Sequence, residues 1–140
     1  MKIEKNKFLI SPSDLNNFVS CKFTIKNEIK FHNKEITKSA PSVNDKLWKE
    51  MGIEHEKNHF EKLKNQFKKN ISINSELSEK LRYEQTIKAM KKGYDLIYHA
   101  YLIDENLRGE ADFLIKCDTS SDLGNYSYEV YDTKITRNLR

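Results

Sequence analysis

Glycine and proline are scarce in this 140-residue chain, at four and two copies, and cysteine appears only twice. With so few Gly and Pro, each one present marks a turn or a helix end strongly. Cys21 and Cys117 show no C-x-x-C spacing, which fits free thiols in a reducing compartment better than a disulfide framework. Long apolar runs are also missing. The longest, inside "FLISPSDLNNFV", is broken by Pro and Asp far short of the ~20 residues that a bilayer-spanning helix needs. No basic-then-apolar signal peptide opens the sequence, so a cytoplasmic protein with no membrane association is expected. Internal repeats and low-complexity tracts are absent too. What remains is 37% hydrophobic and 33% charged residues with mean hydropathy −0.80, the balance of a soluble globular chain. Its length suits one core, so residues 1–140 are expected to form a single domain. The net charge of +4 leans toward an anionic partner such as nucleic acid.

Helical grammar dominates the first half. Ser11 is a candidate N-cap, followed by Pro12 at the first helical position and Asp14 three residues on. Leu15, Phe18, Cys21 or Lys22, Ile25 and Ile29 then recur at helical spacing through "SPSDLNNFVSCKFTIKNEIKF". The polar run "HNKEITKSAPSVND" reads as a loop. A second helix is expected from about Asp45 to Lys69, with Trp48, Gly52, Ile53, Phe60, Leu63 and Phe67 on one stripe. A third is expected from about Ser75 to Lys92, ended by Gly93 at the C-cap. Beyond Gly93 the period becomes extended. "YDLIYHAYLID", "LRGEADFLIKC" and "YSYEVYDTKIT" are separated by the turn-forming "DEN" and "DTSSDLGN", which predicts a three-stranded, mostly antiparallel meander. The fold class is therefore α/β in the α+β sense: helices, then a three-stranded sheet.

Two acids and a lysine interrupt these strands. Period-2 alternation puts Asp112 on the face of Leu114, and Asp132 on the face of Lys134, so acid, acid and lysine can meet on one sheet surface. Two carboxylates about 4 Å apart repel by about 4 kcal/mol at an effective dielectric near 20, so a fold that builds such a pair normally supplies a cation. Oxygen ligands suit Mg²⁺ or Mn²⁺. Lys134 would orient or help deprotonate a metal-bound water, or neutralise charge developing on a phosphoryl group. The plainer reading of D-x-K is a surface ion pair worth at most about 1 kcal/mol. On the second helix Glu56 falls in the middle of the apolar arc, with His55 and His59 along its margin, and a buried carboxylate needs a partner. "HEKNH" also matches the H-E-x-x-H pattern of zinc hydrolases. No clear third ligand follows it, Glu79 and Glu84 being available only by abundance, and the helix is highly charged. A non-catalytic nucleic-acid-binding module, using basic residues and aromatics without the acids, is a further alternative.

Four segments taken in order carry a resemblance. "SPSDLNNFVSC", "GIEHE", "GEADFLI" and "YEVYDTK" are similar to the S-x-S-x-L-x-x-[FY]-x-x-C helix, the histidine-bearing helix, the G-x-x-D strand and the D-x-K strand of RecB-like nucleases. The chain thus resembles the RecB-like branch of the PD-(D/E)xK superfamily, from about Ile10 to Arg137. The resemblance implies a restriction-endonuclease-like core and metal-dependent hydrolysis of DNA phosphodiester bonds in repair, recombination or defence, with a fused or associated helicase as a partner. It implies His55, Asp112 and Asp132 as metal ligands and Asp112, Asp132 and Lys134 as catalytic residues. Glu129 lies on the opposite strand face from Asp132 and is left out. Cys21 matches the first cysteine of relatives that hold an iron–sulfur cluster, but the three C-terminal cysteines those relatives supply are missing here, so a cluster is not supported. In the family a helix with a Q-x-x-x-Y motif and another strand follow D-x-K. The resemblance therefore implies the N-terminal part of a longer nuclease domain, a core incomplete at the C-terminus, and no DNA cleavage by these 140 residues alone.

Overall fold

A computed structural model describes residues 1–5 and 7–135. Thr136, the end of the expected third strand, and Arg137, the end of the family-like stretch, lie outside the described residues. The chain clusters into two compact units. One comprises Met1–Pro41 with Ile103–Gly109, the other Ser42–Leu102 with the chain from Glu110 onward.

In the first unit, β1 (Lys2–Glu4) and β2 (Lys7–Leu9) pair antiparallel as a short hairpin that periodicity did not predict. Three-residue strands carry too little pattern to be read. The expected cap is present. Ser11 Oγ accepts the Asp14 N–H while the Asp14 carboxylate accepts the Ser11 N–H at 2.9 Å, and Pro12 opens α1 (Pro12–Ser20). Burial pushes the Asp14 carboxyl upward. Hydrogen bonds from the Met1 ammonium, at 2.6 Å, and from Ser11 outweigh it and hold the group below its usual range. The single long helix expected here is instead two, because Cys21 is extended (φ −160°, ψ 111°) and α2 (Lys22–His32) starts afresh behind it. Ile10 pairs with Leu107, and Gly109 lies so close to Pro12 that a Cβ there would stand 3.1 Å from the proline ring.

The second unit opens on α3 (Val43–Gln66), capped by Ser42 and Asp45 in a capping box. The three-residue β3 (Asn70–Ser72) follows, then α4 (Glu79–Lys91) behind the Ser78 cap, with Gly93 at φ 68° where a left-handed residue ends the helix. Strands β4 (Leu96–Asp104), β5 (Leu107–Cys117) and β6 (Ser127–Tyr131) complete a mixed α/β chain. The sheet has four strands, in the order β3-β4-β5-β6, and not the three expected. "NIS" lies parallel to β4, pairing Asn70 with Leu96 and Ser72 with Tyr98, a partner that no local turn signal announces. Glu105 and Asn106 connect β4 to β5, with Glu105 at φ 48° as tight hairpins require. β6 runs antiparallel to β5, pairing Phe113 with Tyr131 and Cys117 with Ser127.

Two clusters form the core of this unit. Phe60 and Leu63 of α3 meet Leu96, Tyr98 and Phe113, while Ala89 of α4 meets Ile73, Ile97, Ala100, Ala111 and Leu114. The α3 stripe is thus buried only in its C-terminal half, and Trp48 and Ile53 are exposed. Strict alternation fails twice. Ile97 and Ala100 share one cluster, and between them His99 takes the left-handed φ of 57°, with the Tyr98 and His99 rings 3.9 Å apart. The Tyr101 N–H is bonded by the buried Thr86 hydroxyl at 3.0 Å. Ala111 and Leu114 likewise share a cluster across Asp112 and Phe113. The common face expected for Asp112 and Leu114 assumed an alternation that does not hold here, and strand pairing places Asp112 instead. Among the described residues, no helix is long and apolar enough to cross a membrane.

Candidate active site

Register brings the two aspartates together. The β5–β6 ladder ends with Phe113 opposite Tyr131, and the next residue on each strand is Asp112 and Asp132. Thr133 fixes the junction, its N–H donating to Asp112 Oδ2 at 2.9 Å and its hydroxyl to the same oxygen at 3.3 Å. The two carboxyls lie close enough to shift each other's ionisation, and Lys134 donates to Asp132. Three of the four expected site residues are therefore side by side. The fourth, His55, lies on the exposed flank of α3, whereas its neighbour Glu56 is half-buried one turn before Phe60.

Burial raises the Asp112 carboxyl to about 6, helped by its bond to Asp132 and the nearby Glu56 charge. Asp132 goes the other way, held low by the hydrogen bond from Asp112 and then by Lys134. Below about pH 6 the pair therefore keeps one proton, with Asp112 its holder. A proton kept by a pair of carboxylates marks a place suited to a hard cation. Among the described residues, no group of three His, Cys, Asp or Glu side chains is drawn together as metal ligands.

Behind the pair lies a polar chain that the sequence reading did not assign. Arg82 of α4, almost fully buried, bonds Glu110, and the Glu110 Oε1 atom lies 2.8 Å from His99 Nδ1. The other His99 nitrogen lies 3.2 Å from Glu56 Oε1. Glu110 is held below its usual range, first by the His99 bond and then, against the cost of burial, by Arg82. Tyr98 is pushed upward by burial and by its hydrogen bond to Glu56. A signal for this chain was present: His99 interrupts the otherwise apolar "LIYHAYLI", and Glu110 stands two residues before Asp112. His59, the second histidine of "HEKNH", packs edge-on against Phe113 at 5.5 Å, the position of a core ring.

The retained proton has a consequence for stability. Because Asp112 prefers its proton in the folded chain, the fold benefits fully below about pH 4 and loses that benefit as pH rises through about 6. Asn at 112 keeps an oxygen for the Thr133 N–H and offers Asp132 an amide hydrogen without ionising. Asp112→Asn is therefore expected to raise the melting temperature at pH 7.5 by about 3 °C, from about 1 kcal/mol after solvent screening, and to leave it unchanged at pH 4. Melting curves at the two pH values check this, and an equal shift at both would refute the retained proton.

No family model, no curated protein and no solved structure matches the chain.

Proposed function

We propose that Asp112, Asp132 and Lys134 form the active site of a divalent-metal-dependent nuclease that hydrolyses DNA phosphodiester bonds, on a restriction-endonuclease-like core of the RecB-like type. The observation that supports this reading is the meeting of Asp112 with the D-x-K segment across the end of the β5–β6 ladder, with the lysine on the second acid. Carboxylate oxygens of Asp112 and Asp132 fit Mg²⁺ or Mn²⁺, and the resemblance adds His55 as a third ligand. The metal, when bound, supplies Lewis-acid charge and a more acidic water. Asp112 surrenders its proton on becoming a ligand, so binding weakens as pH falls toward 6. Lys134, tied to Asp132, would neutralise charge that builds on the phosphoryl oxygens. The substrate class also accords with the net charge of +4. A cytoplasmic setting and a fused or associated helicase complete the reading.

The test is cleavage of labelled DNA by the protein as its gene encodes it, with Mn²⁺ and with EDTA. Cutting is expected only with the metal, together with Mn²⁺ affinity that falls at least tenfold in Asp112→Asn by calorimetry. Cleavage in EDTA, or unchanged affinity in that variant, would overturn the proposal.

A further inference from the structure

Lysines gather around the turn that ends α4. Lys88, Lys91 and Lys92 stand in its last turn and at its C-cap, all three exposed, and Gly93 then leaves the helix at φ 68°. Two further lysines arrive from other elements. Lys69, just before β3, donates to the Lys92 carbonyl at 2.6 Å and lies 5.4 Å from the centre of the Tyr94 ring. Lys116 of β5 reaches the same turn, its Nζ 4.6 Å over the Tyr126 ring and 3.6 Å from where a Cβ on Gly93 would stand. Among the described residues, none of these lysines is ion-paired with a carboxylate. Glu84, on the neighbouring turn of α4, takes Lys80 at 4.0 Å, and Asp95 beside Tyr94 pairs with none of them. Basic residues at a helix C-terminus complement its dipole. That accounts for Lys88 and Lys91 but not for Lys116, brought over from β5 to a helix end whose Met90 carbonyl already accepts the Tyr126 hydroxyl at 2.8 Å.

Lys88 and Lys92 border two grooves, one of about 460 Å³ that Tyr83 and Lys91 also line, and one of about 280 Å³ that reaches Tyr94. Ammonium groups without counter-charges, held against tyrosine rings along open grooves, are complementary in charge to a chain of phosphates. Their place in the sheet fits the acids. Lys116 and Asp112 stand four residues apart on β5, about 13 Å, which is about four phosphate spacings along one strand of a duplex. We infer that Lys69, Lys88, Lys91, Lys92 and Lys116 form the surface that holds the DNA phosphate backbone next to the Asp112–Asp132 pair. This deepens the nuclease reading and rests on it for the choice of DNA over other polyanions. Contacts of this kind position the duplex and read no sequence.

The test is a salt series. Binding of a labelled DNA duplex to the protein as its gene encodes it is followed by fluorescence anisotropy in EDTA, where metal-dependent cleavage does not intervene. One variant combines Lys88→Gln, Lys91→Gln and Lys92→Gln, exposed positions whose loss the fold tolerates. The comparison combines Lys22→Gln, Lys26→Gln and Lys30→Gln on α2, an equal change of charge. Residues 1–41 hold eight lysines against four acids, the whole of the net charge of +4, so composition alone would favour that region. The α4 variant is expected to bind at least about tenfold more weakly at about 0.1 M salt, and to flatten the slope of log K against log salt by about 2 to 3, near 0.9 per lost phosphate contact. Adding Lys116→Gln is expected to flatten it by about one more, whereas the α2 variant is expected to change it by less than about one. An α4 variant that keeps the parent's slope, or an α2 variant that loses as much, overturns the inference and leaves metal-dependent cleavage standing. Capture of phosphatidylserine vesicles by the same lysines, with DNA binding unchanged in the α4 variant, also overturns it. The expected slopes without any Mn²⁺-dependent cutting support the surface and overturn the nuclease reading. A parent chain that binds no DNA overturns both.

Discussion

Alanine at position 134 is expected to lower metal-dependent DNA cleavage on the order of 10²- to 10³-fold, with stability changed by less than about 0.5 kcal/mol. The contrast follows from where the side chain lies. Lys134 is 75% exposed and tied to Asp132, which is itself half exposed, so as a structural ion pair it is worth little. Any large effect must then come through chemistry. Its bond to Asp132 raises the ammonium above its ordinary range, which keeps the charge on at neutral pH. Of the two roles open to this lysine, that favours stabilising developing phosphoryl charge over accepting a proton from water. Lys134→Arg is accordingly expected to retain part of the rate, and the pH–rate profile should show no limb from this group below about pH 10. DNA affinity should stay nearly constant in both variants, because protein–DNA affinity in general comes mostly from distributed phosphate contacts. Gel-based cleavage alongside filter binding at several salt concentrations separates the effects. Persistent cleavage in Lys134→Ala would reduce the residue to a surface charge.

The parts of the fold that were legible are those encoded by neighbouring residues. Ser11, Pro12 and Asp14 announce the start of α1 because a capping box spans only four positions, and Gly93 announces the end of α4 because few other residues accept its φ. Strand β5 was bounded correctly from Leu107 to Cys117, since turn residues flank it closely. The Cys21 break had no local mark, as apolar spacing continued across it. Strand β3 was hidden for a different reason. A three-residue strand pairing in parallel with β4 owes its existence to a partner more than twenty residues away, and only tertiary contacts specify it. The same division holds for the site. Asp112, Asp132 and Lys134 could be grouped from strand chemistry alone, although alternation was the wrong reason for Asp112. Glu56 was visible on the helical wheel as an acid in an apolar arc, but its neighbours were not, because His99 takes a left-handed backbone (φ 57°) in the middle of β4. No period-2 reading contains such a residue.

Phe113→Ala is expected to cost about 3–5 kcal/mol, a large share of the 5–15 kcal/mol that usually holds a domain folded. The ring is fully buried, 5.2 Å from Tyr98 and 6.3 Å from Phe60, with His59 against its edge. Removing it opens a cavity that three aromatic neighbours, fixed on α3 and β4, cannot easily close. Its position also ties stability to function. Phe113 adjoins Asp112 in β5 and stands opposite Tyr131, the residue before Asp132, so a loosened ring site should let the two carboxyls part. Tyr98, which bonds Glu56, would lose one of its stacking partners as well. Urea unfolding of Phe113→Ala should therefore show a much lower midpoint. Mn²⁺ affinity should also fall at temperatures where the variant is still folded, because ligand atoms need tighter placement than folding does. Val130→Ala, on the exposed face of β6, provides the comparison and should stay within about 0.5 kcal/mol of the parent. A Phe113→Ala loss smaller than about 1 kcal/mol would mean that the Phe60–Tyr98–Phe113 stack is not what holds α3 to the sheet beneath the acids.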